Sequence, residues 1–331
     1  MTKTRLIAAV LSATTALSAS AALAQDQITV AYFQEWPMPF QYAKAKDLYE
    51  ERLGVPVDWV AFDAGTAMSA AMAAGDVQIA VSQGVPPFVV ATSAGQDLKI
   101  VDVAASYAEN DNCVVASRLE IDKTSASELA GKRVAVPVGT MAHYGFLELM
   151  SHFEVDPASM TVVDMAPADA AAAFSQGSID MACGWGGALD RMKQNGNVLL
   201  TGAEKEDIGI LTFDATTTTA RFAAENAELL AAFLAVTAEM NEMWNAGDMR
   251  AEMLPVIAQD AGMDPASAEA TIDKFDFLPV EAQISDKWLG GRVNGYLSEV
   301  AQVFKDTGNV PVTLSDYSDT VDISFLQSLA E

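Results

Sequence analysis

From residue 27 onward, short β-rich apolar runs alternate with short helical stretches. QITVAYF (27–33) reads as a buried strand. It stops at QEWPMPF, where Pro37 and Pro39 exclude a continued strand or an early helix. A helix is predicted over roughly 41–53, closed by Gly54, and VPVDWVAF forms the second strand. Next come a helix near 65–74, strand DVQIAVS, a helix near 86–94, and strands LKIVDVAAS and NCVVAS. GKRVAVP, a helix from about 140 to 153, MTVVDM, an Ala-rich helix at 168–175 and IDMACGW extend the series. This alternation predicts an α/β fold with mainly parallel sheets. Beyond about residue 222 the pattern changes to long helices, ending with VNGYLSEVAQVFKDTG.

Two segments echo each other: TAMSAAMAAGDVQIAVSQG (66–84) and ADAAAAFSQGSIDMACGWGG (168–187). Each runs from an Ala-rich helix through a Gly turn to a short strand and a glycine-bearing corner. Two similar α/β halves predict two lobes with a cleft at the carboxyl ends of their strands, where small molecules bind.

The first residues stand outside this pattern. Lys3 and Arg5, an apolar stretch, then Ala22-Leu23-Ala24 give the order of a secretory signal peptide over 1–24, cleaved before Gln25. Its removal takes the formal net charge from −26 to −28. So acidic a chain is not built for nucleic acid or an anionic membrane. Cys113 and Cys183, in an exported chain, are either a disulfide or two buried thiols. Neither sits in metal or redox spacing, and two histidines do not make a metal site. No cofactor is expected.

Candidate chemistry gathers at the predicted corners. Glu35, Trp36, Phe88, Tyr107, Glu109, Asp111, Tyr144 and Trp185 occupy strand ends or helix starts, most of the acids there as solvated groups. Ser82 and Gln83 close one strand; Thr140 is placed to cap the helix that carries His143 and Tyr144. Asp214 lies inside the strand-like ILTFDATTTT, where an isolated carboxylate needs a cationic partner, either a ligand nitrogen or a Lys or Arg. A corner Trp can pack an interface or form one face of an ammonium cage. No GxSxG, P-loop, HExxH, CxxC or strand-to-helix GxGxxG occurs, so no enzyme is indicated.

Taken in order, VAYF, WVAFDAGTAMSAAMAAGDVQIA, LAGKRVAVP, HYGFLELM, GSIDMACGW, LTFDATTTTARFAAENAEL, FLPVEAQ and FKDTGNVPVTLSDYSDTV resemble the taurine-binding periplasmic proteins of ABC importers. That group belongs to the wider set of nitrate, sulfonate and bicarbonate binders, and the likeness spans nearly all of the chain after residue 24. The resemblance implies a two-lobed periplasmic-binding-protein fold of type II. Lobe one would hold residues 25–112 and 216–331, and lobe two residues 113–215. It also implies a monomeric periplasmic receptor that closes on a small ligand and delivers it to an inner-membrane permease with its ATPase. Trp185 matches the family's cleft Trp, Asp214 an acidic residue that pairs with the ligand amine, and His143–Tyr144 a His-Tyr pair at the cleft.

Family members tend to carry Gly-Ser-Ser-Pro at the first corner, and hydroxyl residues before the His-Tyr pair. This chain has Gly84-Val85-Pro86-Pro87 and Thr140-Met141-Ala142 instead, with fewer neutral donors for a sulfonate. Two ligand classes follow: taurine or a related aminosulfonate, and a betaine- or choline-like amine caged by Trp36, Tyr144 and Trp185. An enzyme on the same fold, such as a pyrimidine-precursor synthase, would need a cofactor lysine or a cysteine cluster.

Overall fold

The computed structural model describes residues 27–34 and 36–331. The expected signal peptide and Glu35 lie outside the described residues. Strands β1 (Ile28–Phe33), β2 (Val57–Phe62), β3 (Ile79–Gly84) and β4 (Leu98–Ser106) begin one sheet. The chain then builds a second sheet from β5 (Asp111–Ala116), β6 (Arg133–Val136), β7 (Thr161–Asp164), β8 (Met181–Trp185) and β9 (Gly196–Val198). It returns to the first sheet as β10 (Phe213–Thr219). The two crossings fall between β4 and β5 and between β9 and β10.

The sheet orders are β2-β1-β3-β10-β4 and β7-β6-β8-β5-β9, and they correspond place by place. β3 and β8 are third in their sheets, and each follows an Ala-rich helix, Gly65–Ala74 or Pro167–Ser175. These are the two segments whose sequences echo. The sheets are mixed rather than mainly parallel. β1, β2 and β3 pair parallel, as do β6, β7 and β8, whereas β10 and β5 run antiparallel to both of their neighbours. The strand that crosses from the other half enters each sheet from the opposite end, which reverses its direction.

Local chemistry explains the elements. The helix expected over 41–53 is two helices, Phe40–Ala45 and Leu48–Leu53, divided at Asp47, whose φ of +55° lies in the left-handed region. β5 alternates by the period-two rule. Cys113 and Val115 face a core with Phe146 and Met150, while Val114 and Ala116 face another with Phe174 and Leu189. Three of the four threonines of β10 are fully buried because each hydroxyl finds an acceptor: Thr216 on Asp102, Thr217 on Gln83 and Thr218 on the Gln78 carbonyl. Cys113 and Cys183, partners across the β5–β8 ladder, are joined by a disulfide. Among the described residues no helix is long and apolar enough to cross a membrane.

Candidate functional site

A cavity of about 590 Å³ opens where the two sheets present their strand ends to each other. It is within the range of small-molecule sites, about 300–1,000 Å³. The first sheet supplies Phe33 at the end of β1, Asp63 to Gly65 after β2, Gly84 at the end of β3 and Asp214 near the start of β10. The second supplies Asp111 at the start of β5, Thr140 after β6, Pro167 after β7 and Trp185 at the end of β8. In both halves the parallel strands point their carboxyl ends at the cavity, the usual ligand position in α/β sheets.

Asp214 is 3% exposed and is held by two neutral donors. The Ser82 hydroxyl donates to its Oδ2 at 2.8 Å, and the Tyr107 hydroxyl donates to its Oδ1. Trp36 Nε1 in turn donates to Ser82 Oγ at 2.9 Å. Ser82 reaches both partners from a left-handed backbone, φ +64°, which costs a non-glycine residue about 1 kcal/mol. No Lys or Arg among the described residues forms an ion pair with Asp214. Burial therefore dominates and pushes its pKa up to about 7; the two hydroxyls pull it down and the nearby Asp111 pushes it further up. Asp111 is also 3% exposed and is raised to about 7 by burial, opposed by Lys205. The Lys205 ammonium itself donates to the Asp111 main-chain oxygen at 2.5 Å.

Aromatic surface surrounds these carboxylates. Trp36 meets Tyr107 edge-on, with centroids 5.2 Å apart, and Trp185 lies directly across the ladder from Asp111. Gly186 opens the next helix, Gly186–Lys193, at φ +57°, and a Cβ there would stand 4.0 Å from the Trp36 ring. Gly184 has a different task. A Cβ on it would meet Pro167 Cβ at 2.9 Å, so it serves helix–sheet packing and does not line the cavity.

Of the residues expected at the site, Trp36, Thr140, Trp185 and Asp214 line one cavity. Other expected site residues lie elsewhere. Ser82 stands behind Asp214 as its hydrogen-bond donor. Gln83 turns away to Ser69, Thr217 and the Gly65 carbonyl, bracing the corner that Gly65 presents. Phe88 is fully buried in the core, on a helix enclosed nearly all round. His143 is buried edge-on to Phe304, its Nδ1 accepting from the Gly139 amide, and burial lowers its pKa. Tyr144 packs edge-on to Tyr296, so it cannot form part of a cage. Glu109 is exposed and accepts from the Ala203 amide. Thr140 occupies the cap position without capping; its hydroxyl donates to the Pro137 carbonyl at 2.7 Å. Tyr107, Asp111 and Arg191 also line the cavity, and sequence reasoning gave Arg191 no role. The first two carried a sequence signal, an aromatic and an acid at the β4–β5 corner. Among the described residues no cluster of His, Cys, Asp and Glu is placed to hold a metal.

Comparison with known proteins follows the same lines. The family described as NMT1/THI5 like matches residues 37–246. The taurine-binding periplasmic protein of Escherichia coli K12 is 29% identical over 304 residues, covering 91% of this chain and 92% of that protein. The periplasmic aliphatic sulphonate binding protein SsuA from Escherichia coli shares the fold with a TM-score of 0.70 at 22% identity, over 88% of this chain and 90% of that one. The desulfurization enzyme DszB also shares it, with a TM-score of 0.61 at 12% identity over 91% and 98% of the two chains. The fold therefore carries both binding proteins and an enzyme.

Proposed function

The chain belongs to the NMT1/THI5-like family, and on that premise we propose that it is a periplasmic solute-binding receptor of an ABC importer. Its ligand is taurine or a related small aminosulfonate. Two lobes, residues 25–112 with 216–331 and residues 113–215, close on the ligand and deliver it to a permease driven by a separate ATPase. These bounds cut β5 after Asn112 and β10 after Ala215; following the sheets instead moves them to the crossings before β5 and before β10, so that Asp111 belongs to the second lobe and Asp214 to the first.

The observation that carries this reading is Asp214. A carboxylate that is buried, faces a cavity and is held only by hydroxyl donors is complemented by a cation. The ligand ammonium takes that place, and Trp185 packs over the ethyl chain. Ser82 and Tyr107 orient the carboxylate from behind. Ligand contacts to both sheets exist only when the halves are together, and this differential affinity favours the closed arrangement. A receptor suits the lining better than an enzyme does, since the polar lining side chains are carboxylates, one threonine, one glutamine, one arginine and the Tyr and Trp rings, with no nucleophile–base pair among the described residues.

A second reading keeps the receptor and changes the ligand to a betaine- or choline-like amine. Trp36, Tyr107 and Trp185 around two carboxylates favour it, with Tyr107 in the place first given to Tyr144. Native mass spectrometry of the protein purified without added ligand separates the two. A bound mass equal to taurine or another aminosulfonate supports the first reading, and a methylated amine replaces it with the second.

A further inference from the structure

Among the described residues that line the cavity, Arg191 is the one basic side chain, set against the acids Asp63, Asp111 and Asp214. Its helix, Gly186–Lys193, starts directly after Trp185 and buries Ala188, Leu189 and Met192. The other two long charged side chains of this helix leave in other directions. Asp190 takes both carboxylate oxygens to Lys274 Nζ, at 2.8 and 2.9 Å, and Lys193 donates to the Glu109 carbonyl. Arg191 instead folds back one turn, as helical side chains do. Its Nη1 lies 3.5 Å from where a Cβ on Gly187 would stand, at the cavity wall. Among the described residues no carboxylate lies within ion-pair distance of it.

Two other corners of the cavity offer an anion fewer donors than their helix starts suggest. The helix after β3, Val85–Ser93, carries Pro86 and Pro87 in its first turn, and neither has an N–H. Thr140 spends its hydroxyl hydrogen on the Pro137 carbonyl. Arg191 is therefore the one fixed cation among the described lining side chains; it shares its half of the cavity with Asp111, while Asp63 and Asp214 line the other half.

We propose that Arg191 is the anion-recognising residue of this receptor and that the ligand is a zwitterion, its acid group on the guanidinium and its ammonium facing Asp214. This inference rests on the receptor reading above, and it goes further by excluding ligands that carry a cation alone. A guanidinium forks onto two oxygens of a sulfonate or a carboxylate, so both acid types fit, and chain length sets the match.

Titration calorimetry tests it on the mature protein with taurine, β-alanine and choline, using the wild type, Arg191→Gln, Arg191→Lys and Asp214→Asn. The wild type is expected to bind taurine or β-alanine and not choline. Losing charged hydrogen bonds should weaken that zwitterion about 10- to 100-fold in Arg191→Gln, with partial recovery in Arg191→Lys and an unchanged melting temperature of the empty protein. Zwitterion binding by Arg191→Gln at wild-type affinity, while Asp214→Asn has lost it, overturns the assignment of Arg191 and leaves the receptor reading standing. Choline binding that Arg191→Gln leaves unchanged overturns the zwitterion. No heat with any of the three ligands overturns the receptor reading for small amines, and this inference with it.

Discussion

The Ser82 hydroxyl donates to Asp214 across the β3–β10 pair, from a backbone that few serines adopt. Replacing Ser82 with Ala removes that donor and leaves Trp36 Nε1 without its acceptor. The expected result is a ligand affinity lower by about tenfold, the value of one hydrogen bond to a charged group. Calorimetry of Ser82→Ala checks it, and Ser82→Gly, which relieves the φ but also lacks the donor, should lose as much affinity.

The empty receptor should become less stable as pH rises toward neutrality. Asp214 and Asp111 titrate at about 7 in the fold, against about 3.9 for an unfolded aspartate. Between those values the folded state binds more protons, so stability falls as pH rises from about 4 to about 7. Exposed acids with lowered pKa, such as Glu204 and Asp264, act only below this window. His143, whose folded pKa is lowered, acts in the opposite sense near its unfolded value. Asp214→Asn isolates the contribution of Asp214: thermal melts from pH 5 to pH 8 should fall less steeply in the variant than in the wild type.

Ligand binding should weaken below pH 7, because a proton competes with the ligand ammonium for Asp214. One carboxyl gives at most about tenfold per pH unit. A titration series at pH 8, 7 and 6 checks the direction, and an affinity that rises toward pH 6 would count against a cationic group at Asp214.

The disulfide should matter to both fold and cavity. It closes a 70-residue separation, worth about 4 kcal/mol in the chain-entropy view. It also staples the ladder two places from the Asp111–Trp185 pair. Thiol titration of the denatured, unreduced protein should find no reactive thiol. The Cys113→Ala/Cys183→Ala double variant should melt earlier and bind ligand more weakly.

Trp185 and Phe88 should part company when each is changed to alanine. Trp185 lines the cavity, so its loss should weaken ligand about tenfold through lost aromatic contact with little effect on melting. Phe88 is fully buried in the core, so its loss should cost about 3–5 kcal/mol of stability while the folded protein binds normally. Paired melting and calorimetry curves distinguish the two.

The alternation of strands and helices was legible where runs are rich in β-branched residues and where Gly or Pro follows directly, as Pro137 does after β6 and Gly186 after β8. The echo of 66–84 in 168–187 pointed to halves of one plan, and β3 and β8 do hold equivalent places. Asp214 and Trp185 were legible for local reasons, an isolated acid in an apolar strand and a Trp between glycines at a strand end. What escaped depends on contacts far along the chain. Tyr144 turns inward because Tyr296 waits for it, and His143 because Phe304 does. Arg191 was missed because only the packing of Ala188, Leu189 and Met192 sets which way its helix faces. The antiparallel entry of β5 and β10 likewise follows from the crossings and not from any residue within them.

The most direct test of a ligand cation on Asp214 is titration calorimetry of taurine into the mature protein at pH 8, alongside Asp214→Asn. The account predicts binding by the wild type and an affinity at least about 30-fold lower in the variant, with the fold intact by circular dichroism. Taurine binding by Asp214→Asn as tight as that of the wild type would contradict it.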